Sequence, residues 1–388
     1  MQQVAQDWLV LELTHNSGTA LGIITGLQFL PVLLFSMWGG GIADRYPKRT
    51  ILMITQSLMG ALALTLGVLA LTGTVRIWHV YALAFALGLI TAVDNPTRQT
   101  FAVEMVGRDD MANAIALNSA TFNLGRIAGP AVAGVVIAVL GTPMAFLVNA
   151  ASYLAVITGL KLMRPTELHP AQRKPRARGQ LREALAYVAA RPSLWSLMVL
   201  VFFVATFGMN FQVTNPLMAR EVFHTGAGAF GLGSTVFAVG ALLGALLAAR
   251  RKNPGPPLLL AGAFAFGLLE ILNGLMPSFW TFLATLFPIG AVMLTFVTAA
   301  NSATQLRTTA DIRGRVMGLY LLVFLGGTPI GSPLSGWVAQ TCGPRVSLIA
   351  AGAISAVAAG VVALVLGRSL QVKVRHYLRP SALLRATA

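Results

Sequence analysis

The chain has 388 residues, of which 56% are hydrophobic and only 10% charged, against about 25% charged in an ordinary globular domain. Its formal net charge is +16. The composition excludes a soluble domain, and the placement of the basic residues along the loops excludes nucleic-acid binding.

The apolar residues fall into blocks about as long as a helix that crosses ~30 Å of hydrocarbon, roughly 20 residues. Backbone in that layer must satisfy its own hydrogen bonds, so such blocks are helices. The period-2 alternation of a membrane barrel is absent. The predicted spans are 18–40, 50–72, 77–97, 112–140, 143–163, 193–216, 227–249, 257–276, 279–303, 314–340 and 344–367. Ahead of them, Met1–Leu13 offers only about 20 Å of helix. It reads as the distal half of a first span, closed by the turn His15-Asn16-Ser17-Gly18. It lacks the basic leader and small-residue cleavage site of a signal peptide.

In chain order, the first segment carries two acids, Asp7 and Glu12, on different faces. Gln28 and Phe29 come next, on the second span. A short charged loop, Gly39-Gly-Gly-Ile-Ala-Asp-Arg-Tyr-Pro-Lys-Arg49, then forces its two flanking helices to be antiparallel neighbours. Asp94 and Glu104 lie at the end of the span that begins near 77. The span 112–140 contains Gly125-x-x-x-Gly129-Pro130-x-x-x-Gly134. Gly125 and Gly129 make one smooth face for a neighbouring helix, and Pro130 removes a hydrogen bond and bends the helix. Arg126 sits inside this apolar run, where an unpaired guanidinium costs ~3 kcal/mol or more. Ser119, Asn123 and Arg126 form one polar stripe, and Asp7 is a partner for Arg126. Residues 164–192 form a basic linker with four prolines and a short surface helix at 180–190. On the next span Phe203, Phe207, Asn210, Phe211 and Thr214 recur at helical spacing. Glu270 reads as structural. Asn301 and Gln305, then Tyr320 and Phe324, complete the polar and aromatic positions.

Counted along alternate loops, 24 of the 28 Lys and Arg residues lie on one side. By the positive-inside rule that side is cytoplasmic, and the charge is a topology signal. Cys342 is the only cysteine, so neither a disulfide framework nor a thiolate metal cluster is expected. No Walker loop occurs. No cofactor and no metal is expected, and transport would run on an ion gradient. The halves repeat: Gly125, Gly129 and Gly134 recur as Gly327, Gly331 and Gly336 at an offset of 202, and Asn95 and Gln99 recur as Asn301 and Gln305 at 206. The expected organisation is a helix bundle at 1–163, the linker 164–192, a second bundle at 193–367 and a tail at 368–388.

The loop Gly40-Gly41-Ile42-Ala43-Asp44-Arg45-Tyr46-Pro47-Lys48-Arg49 resembles the loop between the second and third helices of the major facilitator superfamily. Pro47 and Lys48 depart from that family's pattern. Further blocks resemble the transmembrane secretion effector branch, which includes enterobactin-exporter-like and macrolide-efflux-like proteins. They are Ala5–Thr14, Phe29–Val32, Asp94–Gln99, Asn113–Asn118 and Arg126–Pro130. The resemblance implies an all-α membrane protein of major facilitator fold, two six-helix bundles, in the bacterial inner membrane.

It also implies residue roles. Asp44 would latch onto the start of the eleventh helix, near Arg313–Met317, with Arg45 and Arg49 beside it. Lys48 would pair with an acid at the end of the fourth helix, with Asp94 the first candidate and Glu104 the alternative. Gly125–Gly134 resembles the antiporter signature, incompletely, since Ala133 replaces a glycine. Plain membrane-edge charges and plain helix packing are the simpler readings of these two motifs. Asp7, Arg126 and Glu12 are candidates for proton coupling, against a purely structural Asp7–Arg126 pair. Gln28, Phe29, Asn123, Phe207, Asn210, Phe211, Asn301, Gln305, Tyr320 and Phe324 would line the cavity. The implied protein is a monomeric, proton-coupled exporter of drug-like or siderophore-like molecules, in contact with lipid. A metabolite importer and a transport-inactive sensor are the alternatives.

Overall fold

The computed structural model describes residues 1–106, 111–164, 168, 180–249, 255–309 and 311–377, and among them there is no strand. The helices are α1 (Gln2–Leu13), α2 (Gly18–Arg45), α3 (Lys48–Leu71), α4 (Ile77–Glu104), α5 (Met111–Leu140) and α6 (Thr142–Leu162). After the linker come α7 (Gln180–Ala189), α8 (Pro192–Phe203), α9 (Phe211–Leu217), α10 (Ala227–Ala249) and α11 (Pro256–Leu275). The chain continues with α12 (Phe279–Leu306), α13 (Arg313–Gly326), α14 (Thr328–Cys342) and α15 (Pro344–Tyr377). Among the described residues, 10 helical stretches are long and apolar enough to cross a membrane, and α5 adds the shorter apolar run Leu124–Leu140. Observed span starts fall within about two residues of the predicted ones, because capping and turn residues mark them. The turn after α1 forms as expected: His15 and Asn16 adopt φ of 51° and 68°, and Ser17 Oγ accepts from the Ala20 N–H at 3.2 Å to cap α2.

Two predicted spans are not continuous helices. The span predicted at 193–216 consists of α8, a π turn at Val204–Gly208, a break at Met209–Asn210, α9, and a second π turn at Met218–Val222. The span predicted at 314–340 is α13 and α14, joined at Gly327. The two breaks face each other. A Cβ on Gly331 would collide with the Thr206 carbonyl oxygen, and one on Gly327 with the Thr206 hydroxyl. Asn210 bonds the carbonyls of the loosened turn, donating from Nδ2 to Thr206 O (2.7 Å) and Phe207 O (3.0 Å). Ser332 Oγ then donates to Asn210 Oδ1 at 2.8 Å, tying the two broken spans together. Irregular backbone at membrane depth persists only where protein satisfies it in this way.

The pairing of helices repeats. α2 lies on α4 and α3 on α6; beyond the linker, α10 lies on α12 and α11 on α15. Gly141 (φ 85°) and Gly343 (φ 93°) turn the chain into α6 and α15, and 343 − 141 is 202, the offset of the glycine run. One buried core runs from Ala184 to Val362, within the second half of the chain. A second is built on Trp8, Leu11, Leu21 and Phe146, and shares Val213, Leu217, Phe230 and Ala339 with the other half.

The α10–α12 contact is made by backbone. A Cβ on Gly240 would overlap the Phe287 carbonyl oxygen, and adding side-chain carbons to a filled contact costs about 1–3 kcal/mol. Gly240→Leu is expected to lower the thermal unfolding midpoint of the detergent-solubilised protein. Gly159→Leu, at a position with open space around it, should leave the midpoint unchanged.

Candidate functional site

The two halves of the chain meet along two seams. In the first, α2 crosses α14. A Cβ on Gly18 would lie 2.7 Å from Gly336 O, and one on Gly26 3.3 Å from Pro329 O. Gln340 Oε1 accepts from the Gly18 N–H at 2.7 Å. In the second, α5 meets α10: a Cβ on Gly134 would lie 3.0 Å from Gly231 Cα, and Thr235 Oγ1 donates to Ile127 O at 3.4 Å. Above the seams, Trp8 of α1 stacks on Phe230 of α10 (6.5 Å), with the Arg220 guanidinium 5.0 Å from the Trp8 ring. The contacts of α2 fall in its N-terminal part and those of α14 along its length. They therefore gather at the end of the molecule opposite the Asp44–Lys48 loop. This is the sealed end.

The Gly39–Arg49 segment is tightly built. α2 ends at Arg45 and α3 begins at Lys48, so only Tyr46 and Pro47 turn the corner. Lys48 forms a nearly buried ion pair with Glu104, the alternative partner. Asp94, the first candidate, is instead engaged one helical face away. It accepts from Thr55 Oγ1 (2.7 Å) and Gln56 Nε2 (2.8 Å) and pairs with Arg98 at 3.8 Å. The reason is reach: α4 continues to Glu104, beyond the end predicted at 97, and carries that acid to the level of Lys48. Arg49 donates to the carbonyls of Leu160 (2.6 Å) and Lys161 (2.9 Å) at the end of α6. Asp44 and Arg45 are exposed at the last turn of α2.

Asp7 is 4% exposed; its neighbour in sequence, Gln6, accepts from Gln28 Nε2 at 3.3 Å. Arg126 is exposed on α5, and no Asp7–Arg126 ion pair occurs among the described residues. The glycines next to Arg126 give the reason. Gly125 faces open space, and Gly129 has only the Met1 nitrogen within 4 Å. That face of α5 is not a packing face in this arrangement, contrary to the expected smooth contact; the close approach lies one turn further on, at Pro130–Gly134. Glu12 accepts from Thr142 Oγ1 at 3.2 Å. The side chains of Ser119 and Asn123 lie outside the described residues.

The expected aromatic stripe is split. Phe203 and Phe207 stack at 6.1 Å and are partly exposed. Phe211 turns into the core instead, against Phe237 (4.9 Å) and Phe266 (6.1 Å). A π turn adds a residue to one turn and so rotates the downstream residues by about 100°. Tyr320 is 2% exposed; its hydroxyl donates to Val297 O at 3.4 Å, and its ring stacks on Phe324. Phe211 and Tyr320 are thus packing residues here. Gln305 Nε2 donates to Asn301 Oδ1 at 2.7 Å, and both remain partly open, as do Gln28 and Phe29. An apolar cleft of about 420 Å³ lies outside the seams, between Ile42, Tyr46, Ile54, Leu58, Leu89 and Val93.

The linker contributes a docked helix where the sequence predicts only a surface element. α7 buries Ala184 and Val188 in the core of the second half, and Glu183 pairs with Arg315 at the start of α13. Hydrogen bonds from the Thr309 side chain and backbone hold the exposed Tyr187 phenol below its ordinary pKa.

The sequence profile of the family described as transmembrane secretion effector matches residues 1–380. The chain is similar to a staphyloferrin A transporter of Staphylococcus aureus, 28% identical over 63% of this chain and 62% of that protein's length. It is 29% identical to the multidrug efflux pump Tap of Mycolicibacterium fortuitum, over 89% of this chain and 87% of that one. It is 24% identical to the enterobactin exporter EntS of Escherichia coli O1:K1, over 88% and 81%. Among solved structures, a bacterial homologue of the human lysosomal transporter Spinster, inward-facing and occupied, aligns with a TM-score of 0.71, 15% identity and 93% of each chain. The nucleoside transporter NupG aligns at 0.74, with 12% identity over 93% of this chain and 96% of that one. These likenesses show the major facilitator fold.

Breaking a nearly buried ion pair costs about 3 kcal/mol. Lys48→Met or Glu104→Gln alone is therefore expected to lower the melting midpoint, and the charge-swapped double variant, Lys48→Glu with Glu104→Lys, to recover most of the loss. Single variants that melt with the wild type would remove this pair from the loop's architecture.

Proposed function

The chain belongs to the transmembrane secretion effector family of the major facilitator superfamily, and from that premise we propose a proton-coupled exporter of bulky amphipathic molecules, drug-like or siderophore-like in chemistry. It is a secondary transporter of the bacterial inner membrane, and not an enzyme. The observation that carries the export reading is the likeness to relatives named as an efflux pump and an exporter. The seams close at the end away from the basic loops; with those loops in the cytoplasm by the positive-inside rule this is an inward-open arrangement, a state that importers and exporters share and in which an exporter loads. The relatives named for a siderophore transporter, an enterobactin exporter and a multidrug efflux pump support the same direction and cargo class.

In this reading 1–163 and 193–367 are two six-helix bundles that rock against each other as a monomer, joined by the linker 164–192 and followed by the tail 368–388. Asp7 carries the coupled proton. It is buried in α1, and Arg126 reaches it when the unsealed end closes. Opposite charge and burial act on a carboxyl in opposite senses, so meeting and leaving Arg126 would make proton affinity depend on conformation. Asp44, with Arg45, Arg49 and the Lys48–Glu104 pair, forms the closing latch against the start of α13, where an anion is favoured at a helix N-terminus, while Asp94 braces α4 against α3 behind it. Pro130 and Gly134 keep α5 close to α10 and limit ion leak, and Gly125 and Gly129 leave α5 a smooth face for a neighbour in another state of the cycle. Gln28, Phe29, Phe207, Asn301, Gln305 and Phe324 offer aromatic and amide walls to cargo, with Phe211 and Tyr320 bracing them from behind; Asn210, buried and spent on the broken spans, is structural.

The test is transport in inverted membrane vesicles energised by a proton gradient, with a fluorescent amphipathic drug or a catecholate siderophore as cargo. Wild-type vesicles are expected to accumulate cargo. Asp7→Asn should fall to the level of vesicles without a gradient, and Asp44→Asn should be impaired at equal membrane content. Accumulation in right-side-out vesicles instead would reverse the direction; proton-driven transport retained by Asp7→Asn would exclude Asp7.

A further inference from the structure

The second half of the chain holds an acid that the export reading leaves unused. Glu270, on α11, is 1% exposed, and its Oε2 is buried without a hydrogen-bond partner among the described residues. Two glycines press against it from neighbouring helices. A Cβ on Gly352 of α15 would lie 3.0 Å from Glu270 Cβ. Gly208 ends the first π turn of the broken span, and a Cβ there would lie 2.7 Å from Ser355 Oγ and 3.3 Å from Glu270 Oε2. Ser355 Oγ donates to Ala351 O at 3.0 Å, so its hydrogen is already spent within its own helix. Asn273, one turn along α11, donates from Nδ2 to Phe282 O (3.1 Å) and Thr285 Oγ1 (2.6 Å).

Charged groups around the site are few. α11 carries no other, α12 carries none, and α8 with its π turn carries none. The second π turn holds Arg220, whose guanidinium faces Trp8, and Glu221. In the described membrane part of α15 the one charge is Arg345. Its Nη1 donates to Gly274 O at 3.0 Å and its guanidinium lies 5.7 Å from the Phe223 ring centroid. No cation pairs with Glu270 among the described residues. An ionised carboxylate with an orphaned oxygen in such surroundings is among the costliest groups to bury, and it neutralises by taking a proton.

We infer that Glu270 is a second proton-binding site. It carries a proton in this packing, and it releases that proton to water only when α11, α15 and the Val204–Gly208 π turn separate. The turn belongs to the span whose break is tied to α14 by Asn210 and Ser332. Proton occupancy at Glu270 is therefore linked to the shape of the span that touches both α2 and α14, the two helices of the first seam. The site is on the opposite half from Asp7 and stands whether or not Asp7 is the coupling acid.

A group protonated in the folded state and ionised when unfolded stabilises the fold fully only below its unfolded-state value, and that stability is lost progressively as pH rises from there to its folded-state titration. The full-length protein in detergent and its Glu270→Gln variant, a neutral isostere, should melt alike at about pH 4, just below the ordinary glutamic acid value of about 4.3. By about pH 9 the wild type should melt lower than the variant. Parallel melting profiles across that range would overturn the proposal. Mass-spectrometric mapping after dicyclohexylcarbodiimide, which adds to protonated carboxyls in apolar surroundings, supplies a reading on the wild type alone. Modification of Glu270 that fades as pH rises supports the site; absent or pH-independent modification overturns it.

Discussion

The close approach of small residues across the α2–α14 and α5–α10 seams is the constraint on which the rest of this molecule depends. In lipid there is no hydrophobic force to press one helix onto another, so contact is won by backbone proximity and by hydrogen bonds. Gly18 and Gly336, with Gly134 and Gly231, permit that proximity, and Gln340 and Thr235 add bonds from one half to the other. These contacts gather at one end. The interface is therefore a pivot and not a clamp, which is what alternating exposure of a central site requires.

The two halves use one plan with different chemistry. Helix pairing and the Gly141 and Gly343 turns repeat, yet among the described residues the broken spans with their Asn210–Ser332 bond lie in the second half. Each half buries an acid deep among its helices, Asp7 on α1 and Glu270 on α11. Asp7 lies on the short first helix, whose Trp8 stacks on Phe230 of the other half. Glu270 is walled by glycines and a serine against a loosened turn. The linker also belongs structurally to the second half, since α7 lays Ala184 and Val188 into its core and pairs Glu183 with Arg315. The start of α13, where the Asp44 latch is proposed to close, is thus already held by the linker.

Much of this was legible in the sequence because membrane helices announce themselves by length and apolarity. Span starts, the turns around His15 and Pro47, the short helix within the linker and the 202-residue repeat all arise from local residue types. What escaped was whatever depends on an added residue or a helix that runs on. The π turn at Val204–Gly208 has no sequence signature and rotated Phe211 into the core. The extension of α4 brought Glu104 and not Asp94 to Lys48. The smooth contact expected at Gly125 and Gly129 forms instead at Gly134, and no Asp7–Arg126 pair occurs among the described residues. Polarity told which residues needed partners, and only the packing told which partners they found.

If the seams act as a pivot, the two ends of the interface open in opposition. Distances between spin-label pairs in the full-length protein, with Cys342 replaced by Ser, test this most directly. One pair, at His15 and Thr341, spans the sealed end; the other, at Tyr46 and Arg313, spans the opposite end. All four positions are exposed or partly exposed. For a pivot, pH and cargo shift the two distance distributions in opposite senses, the first lengthening as the second shortens. Distances that stay fixed in every condition, or that lengthen together, would contradict it.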